Sequence, residues 1–436
     1  MNHKAYLALA IPLIFSTITT PLLGAVDTAV VGQLPDPANI AAVAIGSMIF
    51  NTMYWMFGFL RVSTSGFAAQ ANGAKDETGG MLAITRPFLL AAFIGVSLVA
   101  LQWPIAKWSL PLLSSDPQVQ ALAADYFSIR VWGAPFSLLN YVIVGWLIGM
   151  SMIKFSLFLQ VLMNCINIAL DILFVKGLSW GVSGVAAATL IAEGTAVIIG
   201  IIVVWRASPF KLRLPALKKI IDPSSFKKMM KVNRDLFIRT LCLLTVFNLF
   251  TAKGASFGTE TLAANAILIQ IHYIMAYFFD GFANTSSILT GRAIGSKDFV
   301  LYRKTLKLSF QWAALSSIII AGTYYILSEQ IIGLFTKIPG VIETVGVYEG
   351  WILLFPLAAS FGIVFYGVFT GATEAEPVRN SMILALLVFV VSLFIIVPFA
   401  GNHGLWLAFI LFSAGRSIFL VMFVPRLTRK LFPSVK

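Results

Sequence analysis

Charge is what this chain has least of. Of its 436 residues 11% are charged, against about 25% in a soluble globular protein, too few to clothe a surface that faces water. Acids are scarcest: 18 Asp and Glu stand against 31 Lys and Arg. Cysteine is nearly absent. Cys165 and Cys242 lie in separate apolar runs and form no CxxC, so neither a disulfide framework nor a thiolate metal site is expected, and both read as small apolar fillers. The histidines, His3, His272 and His403, stand too far apart for a metal motif. No soluble stretch remains for a catalytic domain and no nucleophile–base pair recurs, so an enzyme is not expected. The N-terminal apolar run continues well past the core of a signal peptide and is expected to be a first span.

Hydrophobic residues make up 59% of the chain and its mean hydropathy is +0.90. Crossing about 30 Å of hydrocarbon takes roughly 20 apolar residues. Suitable runs fall near 5–34, 38–71, 80–108, 118–150, 154–176 and 182–205, and again near 232–256, 259–294, 303–327, 343–371, 378–399 and 404–424. The expectation is an all-α polytopic membrane protein with twelve transmembrane helices. With the N-terminus inside, the connection 206–231 falls inside and holds Arg206, Lys211, Arg213, Lys218, Lys219, Lys227, Lys228 and Lys231 against one acid, Asp222. Arg292, Lys297, Arg303, Lys304 and Lys307 fall on the same side, as does the basic tail. This bias predicts cytoplasmic termini in a plasma (inner) membrane. It also accounts for the net charge of +13 through anionic lipid rather than nucleic acid.

The chain repeats itself. Setting 40–76 beneath 262–298, an offset of 222, gives 12 identities in 37 positions without a gap. The same register pairs Lys75 with Lys297, Asp76 with Asp298, Gly145 with Gly367 and Gly149 with Gly371. Two six-helix lobes are expected, 1–205 and 232–436, joined by the basic linker 206–231. An even number of spans per lobe makes the repeat parallel, with its pseudo-two-fold along the membrane normal, the organisation of alternating-access transporters.

Some polar residues are not repeated. Asp27 aligns with Leu249. The fifth span carries Asn167 and Asp171, and the sixth Thr189 and Glu193, each pair one helical turn apart on one face. Counted from the outer ends of their spans at 1.5 Å per residue, Asp27, Asp171 and Thr189 lie roughly 8–11 Å deep, with Asn167 one turn deeper. A carboxylate at the centre of a span costs about 2.5–3.5 kcal/mol on insertion scales, and two close carboxylates favour holding a proton or a cation. These residues therefore form a candidate cation site: a proton switch, or an oxygen cage for Na⁺. Pro21 removes one backbone hydrogen bond close to Asp27 and is the candidate hinge. Asp280, Glu193, Asn140 and Met53 are further candidates for lining a substrate cavity, the methionine as a pliable wall. Arg130, Arg239 and Arg416 read as isolated or near span ends.

The stretch "PLLGAVDTAVVGQL", the "GAKD" and "GSKD" that follow spans 2 and 8, and "NCINIALDILFVKGLSWGVSGVAAATLIAE" across spans 5 and 6 resemble the multidrug and toxic compound extrusion (MATE) family. The likeness is to the branch named for the DNA-damage-inducible protein DinF and covers nearly the whole chain. It implies an antiporter that exports amphipathic, often cationic drugs and dyes, driven by H⁺ or Na⁺. It assigns cation coupling to Asp27, Asn167, Asp171 and Thr189, and bending to Pro21. It implies no cofactor besides the coupling ion; a monomer is expected. The rival reading is a flippase for a lipid-linked saccharide, whose diphosphate would call for deep basic side chains.

Overall fold

Helix formation follows from the solvent: without water to satisfy it, the backbone must bond within its own segment. In the computed structural model the described residues are 1–18, 37–113, 116–208 and 215–433, and among them there is no strand. Among the described residues eleven helices are long and apolar enough to cross a membrane. Of the first expected span only the helix α1, His3–Ile18, is described. Pro21 and Asp27 lie outside the described residues.

The chain then runs through α2 (Pro37–Met56), α3 (Phe59–Ala74), α4 (Glu77–Ala100), α5 (Gln102–Leu113), α6 (Pro117–Arg130), α7 (Ala134–Gly149), α8 (Ile153–Asp171) and α9 (Gly181–Ala207). A short α10 (Leu217–Ile220) precedes α11 (Pro223–Ala255), α12 (Thr259–Gly295), α13 (Phe299–Phe335), α14 (Pro339–Tyr348), α15 (Gly350–Gly371), α16 (Glu376–Ile395), α17 (Val397–Met422) and α18 (Val424–Leu431). The second expected span is thus broken near Gly58, and the fourth is interrupted by a 3₁₀ turn, Val131–Gly133. The ninth runs from Phe299 to Phe335, longer than its apolar stretch, because Asp298 caps its first turn on the polar side of Lys304 and Lys307.

The chain forms two compact units, Met1–Thr17 with Met229–Lys436, and Ile18–Lys228. Residues 1–17, expected in the N-terminal lobe, pack with the C-terminal half instead. The cause is polar as well as apolar. The Tyr6 hydroxyl lies 3.0 Å from Ser286 Oγ, which lies 2.7 Å from Ser309 Oγ, and Thr17 Oγ1 donates to the Tyr277 carbonyl at 2.8 Å. Ile14 lies so close over Gly281 that any Cβ there would overlap it.

The repeat seen in the sequence is a repeat of backbone contacts. In one unit Gly145 and Gly149 on α7 cross α3 so closely that a Cβ would strike the carbonyls of Arg61 and Ser65. In the other, Gly367 and Gly371 on α15 lie against the carbonyls of Ala283 and Ser287 on α12. All four contacts keep the offset of 222, and such close approach requires glycine. The turns repeat too. Lys75 and Lys297 share the left-handed conformation, φ 53° and 55°. Asp76 then accepts from Gly79 N at 2.9 Å and Asp298 from Leu301 N at 2.8 Å, capping α4 and α13.

Candidate functional site

Helices α8 and α9 meet through the fifth and sixth expected spans. Asn167 and Asp171 are fully buried, and Thr189 is 3% exposed. Asn167 Nδ2 donates to Thr189 Oγ1 at 3.1 Å, and the Thr189 hydroxyl donates to the Val185 carbonyl at 3.0 Å. The hydroxyl proton is thereby committed to the backbone. The Asn167 amide is turned with its NH₂ toward Thr189.

Asp171 stands where α8 gives way to a π-helical turn, Ile172–Gly177. A π turn inserts an extra residue per turn, re-aims the side chains beside it and is found frequently at functional sites. The chain then reverses through Ser179 and Gly181, both at φ 56°. Phe174 stacks on Trp180 at 4.8 Å, closing the turn that sets α9 against α8. The structure thus brings together Asn167, Asp171 and Thr189; Asp27 is not among the described residues.

One turn along α9 lies a second buried cluster. Arg130 Nη1 and Nη2 donate to Glu193 Oε2 and Oε1 at 2.8 and 2.7 Å, a bidentate pair. The side chains are 8% and 10% exposed. The guanidinium carbon sits 5.2 Å from the Phe50 ring centre and 5.4 Å from that of Tyr54, and Nη1 also reaches the Tyr54 hydroxyl at 3.3 Å. Asn140 Nδ2 donates to the Glu193 carbonyl at 3.1 Å. Gly133, in the 3₁₀ turn, makes room: a Cβ would come within 2.7 Å of Arg130 Nη1 and 2.8 Å of Glu193 Oε2. Glu193 and Asn140 are therefore held by neighbours on α6, α7 and α9. Met53, on α2 with Phe50 and Tyr54, is partly buried.

Arg130 is not isolated, and its partner was detectable. Arg130 and Glu193 lie at nearly equal distances from Pro117 and Gly181, the starts of two helices that enter from the same side. Arg239 and Arg416 are not isolated either. In the other unit they line one recess with Tyr366, over whose ring the Arg239 guanidinium sits at 4.3 Å. Asp280, on α12 of that unit, acts electrostatically on Arg416. That unit also buries a side-chain triad. Asn265 and Asn402 exchange amide hydrogen bonds at 2.7 and 2.9 Å, and Trp406 Nε1 donates to Asn265 Oδ1 at 2.8 Å.

The MatE family profile matches twice, over residues 12–173 and 236–397, well over half the chain and once in each repeat. The chain is 34% identical over 419 residues to "DNA damage-inducible protein F" of Escherichia coli (strain K12), covering 96% of this chain and 91% of that protein. It is 25% identical over 459 residues to "Probable multidrug resistance protein NorM" of Rhizobium meliloti (strain 1021), covering 98% and 94%. An outward-facing structure of a multidrug resistance MATE family transporter of the MOP superfamily superposes with a TM-score of 0.88 at 20% identity, covering 100% of this chain and 97% of that one.

Proposed function

This chain belongs to the MatE family, and we propose that it is a secondary active multidrug exporter, an antiporter coupled to H⁺. It is a multi-pass membrane transporter rather than an enzyme, with the fold of twelve helices in two bundles. Its proposed substrates are small amphipathic, often cationic compounds, in keeping with the name of the Rhizobium relative. Its proposed setting is the inner membrane, as a monomer with both termini in the cytoplasm.

The observation that carries the coupling site is Asp171, a fully buried carboxylate beside Asn167 and Thr189 at the start of a π turn. A buried carboxyl among hydrogen-bonding side chains is a group that can take up and release a proton or hold a cation. Asp27 is proposed as a second carboxylate and Pro21 as the hinge, both from sequence. A proton arriving from outside would neutralise the pair and a cationic substrate would compete for it, so one site serves both legs of the exchange. Na⁺ is the alternative coupling ion, with Asp27, Asn167, Asp171 and Thr189 as its oxygen ligands.

The test uses purified protein in liposomes loaded with a fluorescent cationic dye, with pH and Na⁺ gradients imposed separately. Dye movement is expected with the pH gradient and is expected to be lost in Asp171→Asn and in Asp27→Asn, with folding intact. Movement under Na⁺ alone would exchange the ion, and movement that survives both substitutions would remove the site. A flippase for a lipid-linked saccharide is the second reading, favoured by the shared recess of Arg239 and Arg416; failure of every dye under either gradient would bring it forward.

A further inference from the structure

Among the described residues two arginines are buried, Arg130 and Arg416. Arg130 holds Glu193 at 2.7 Å, and the half-buried Arg379 likewise holds Asp235 at 2.8 Å. Arg416, on α17, is 8% exposed, and no hydrogen bond or ion pair to its guanidinium exists among the described residues. It faces a small recess lined by Arg239, Tyr366, Ser381 and Met382 among others. Arg239 makes no hydrogen bond among the described residues either, and rests on the Tyr366 ring at 4.3 Å.

The charges facing Arg416 are Arg239, from α11, and Asp280, from α12, and Arg239 acts on it the more strongly. The group carries an excess of one positive charge. Helix packing pins Arg416 in place. Its neighbour Ser417 accepts from Gly362 N at 2.8 Å and donates to the Ala358 carbonyl at 2.6 Å, locking α17 to α15. A guanidinium desolvated in this way without an anion is among the costliest arrangements a protein can hold.

The recess also has a definite place along the helices. Ser381 and Met382 lie in the second turn of α16, directly after Arg379. The same end of the unit carries Lys231 paired with Glu376 and Lys430 paired with Glu374. That is the basic end, where lipid headgroups of negative charge collect. The recess is small and partly open, with room for about one water-sized group, far below the roughly 300–1,000 Å³ of pockets for drug-sized ligands, so what it can seat is an oxygen of a small oxyanion presented from its open side.

We propose that Arg239 and Arg416 clamp a phosphate group at the basic end of the C-terminal unit, as the phosphodiester of an anionic lipid headgroup or as free phosphate. Two arginines lining one recess, with no hydrogen bond of their own among the described residues, offer N–H donors to such an oxyanion, the kind of partner guanidinium groups bind best, and Ser381 stands at its edge. The inference is independent of the export reading, since it concerns binding and needs no gradient.

The test is the thermal stability of the purified, delipidated full-length protein in detergent. It is titrated with inorganic phosphate against chloride at equal ionic strength, and separately with phosphatidylglycerol against phosphatidylcholine. The parent is expected to melt higher with one of the anionic additions. Arg239→Gln and Arg416→Gln are each expected to weaken half-saturation roughly tenfold or more. A response to phosphatidylglycerol alone names the lipid headgroup as the source, and a response to inorganic phosphate names the free ion. Without any anion both variants are expected to melt no lower than the parent, because each removes an uncompensated charge. The proposal is overturned if parent and variants respond alike, if neither addition acts, or if the variants melt far below the parent without anion, which would make the arginines structural.

Discussion

Replacing Glu193 with glutamine would keep the side chain's shape and one of its oxygens but leave the Arg130 guanidinium buried without a counter-charge. The pair is bidentate at 2.7 and 2.8 Å with both side chains at most 10% exposed. Removing one partner of such a pair costs about 3–5 kcal/mol, most of it the penalty of the charge left behind. For a cooperative unit of some 150–250 residues, each kcal/mol shifts the midpoint by about 2–4 °C, so Glu193→Gln is expected to melt roughly 6–20 °C below the parent. The double variant Arg130→Met/Glu193→Leu removes both charges and fills the space with apolar atoms. It is expected to recover most of the loss, since an apolar replacement of a buried pair is often neutral or better. Fluorescence-detected size-exclusion after heating measures both in detergent. A single variant that melts within about 2 °C of the parent, or a double variant no better than the single, would refute the argument. If Glu193→Gln kept its melting point and lost dye export, Glu193 would be a substrate contact rather than a structural group.

Other expectations follow from local geometry. Gly367→Ala and Gly145→Ala each drive a methyl into a backbone carbonyl of the crossing helix, and each is expected to cost about 1–3 kcal/mol by overpacking, read as lower melting points; unchanged stability in both would mean the crossings are loose. Asp222 is held at a pKa of about 2 from its ordinary 3.8 by the Ser225 hydroxyl first and then by Ser224, with Ser224 Oγ donating at 2.7 Å and Ser225 N at 2.9 Å. Since the folded value is depressed, its help to the start of α11 is complete above the ordinary value and fades as pH falls through about 2. A carboxyl ¹³C titration should place the midpoint there and find it higher in Ser225→Ala; equal midpoints would disprove the part given to the Ser225 hydroxyl. Gly133→Ala is expected to reproduce the Glu193→Gln melting loss in part, by pushing apart Arg130 and Glu193, and a variant as stable as the parent would show that the pair has slack.

What could be read from the sequence depended on the kind of physics involved. Span positions and the repeat were legible because both rest on composition and register along the chain, which one-dimensional counting captures. The cluster of Asn167 and Thr189 was legible because depth could be counted inward from the ends of two adjacent spans. Other contacts needed packing. Arg130 meets Glu193 across a sequence separation of 63, and Arg239 joins Arg416 only after four helices close on one recess. The placement of residues 1–17 with Met229–Lys436 was hidden for a similar reason: Tyr6 finds its hydroxyl partners on α12 and α13, and nothing in the apolar pattern marks which helices a terminal segment will choose. The π turn after Asp171 has no composition signature at all.

The two halves agree wherever the backbone decides and differ wherever charge does. The glycine crossings, the left-handed turns and the aspartate caps recur at one offset, because a close crossing or a capped turn admits few residue types. By contrast, Arg130 aligns with Ile352 and Glu193 with Gly415, so the second half lacks the ion pair altogether. Its equivalent helix carries Arg416 instead, one register position on, without a carboxylate in hydrogen-bonding reach among the described residues. A charge that only served packing would be replaced by an apolar side chain, as Ile352 stands where the first half has Arg130. The first half retains a buried carboxylate at Asp171 with no equivalent charge in the second, since Asp171 aligns with Leu393. Each unit therefore holds a buried ionisable side chain that the repeated fold does not require, a carboxyl in one and a guanidinium in the other.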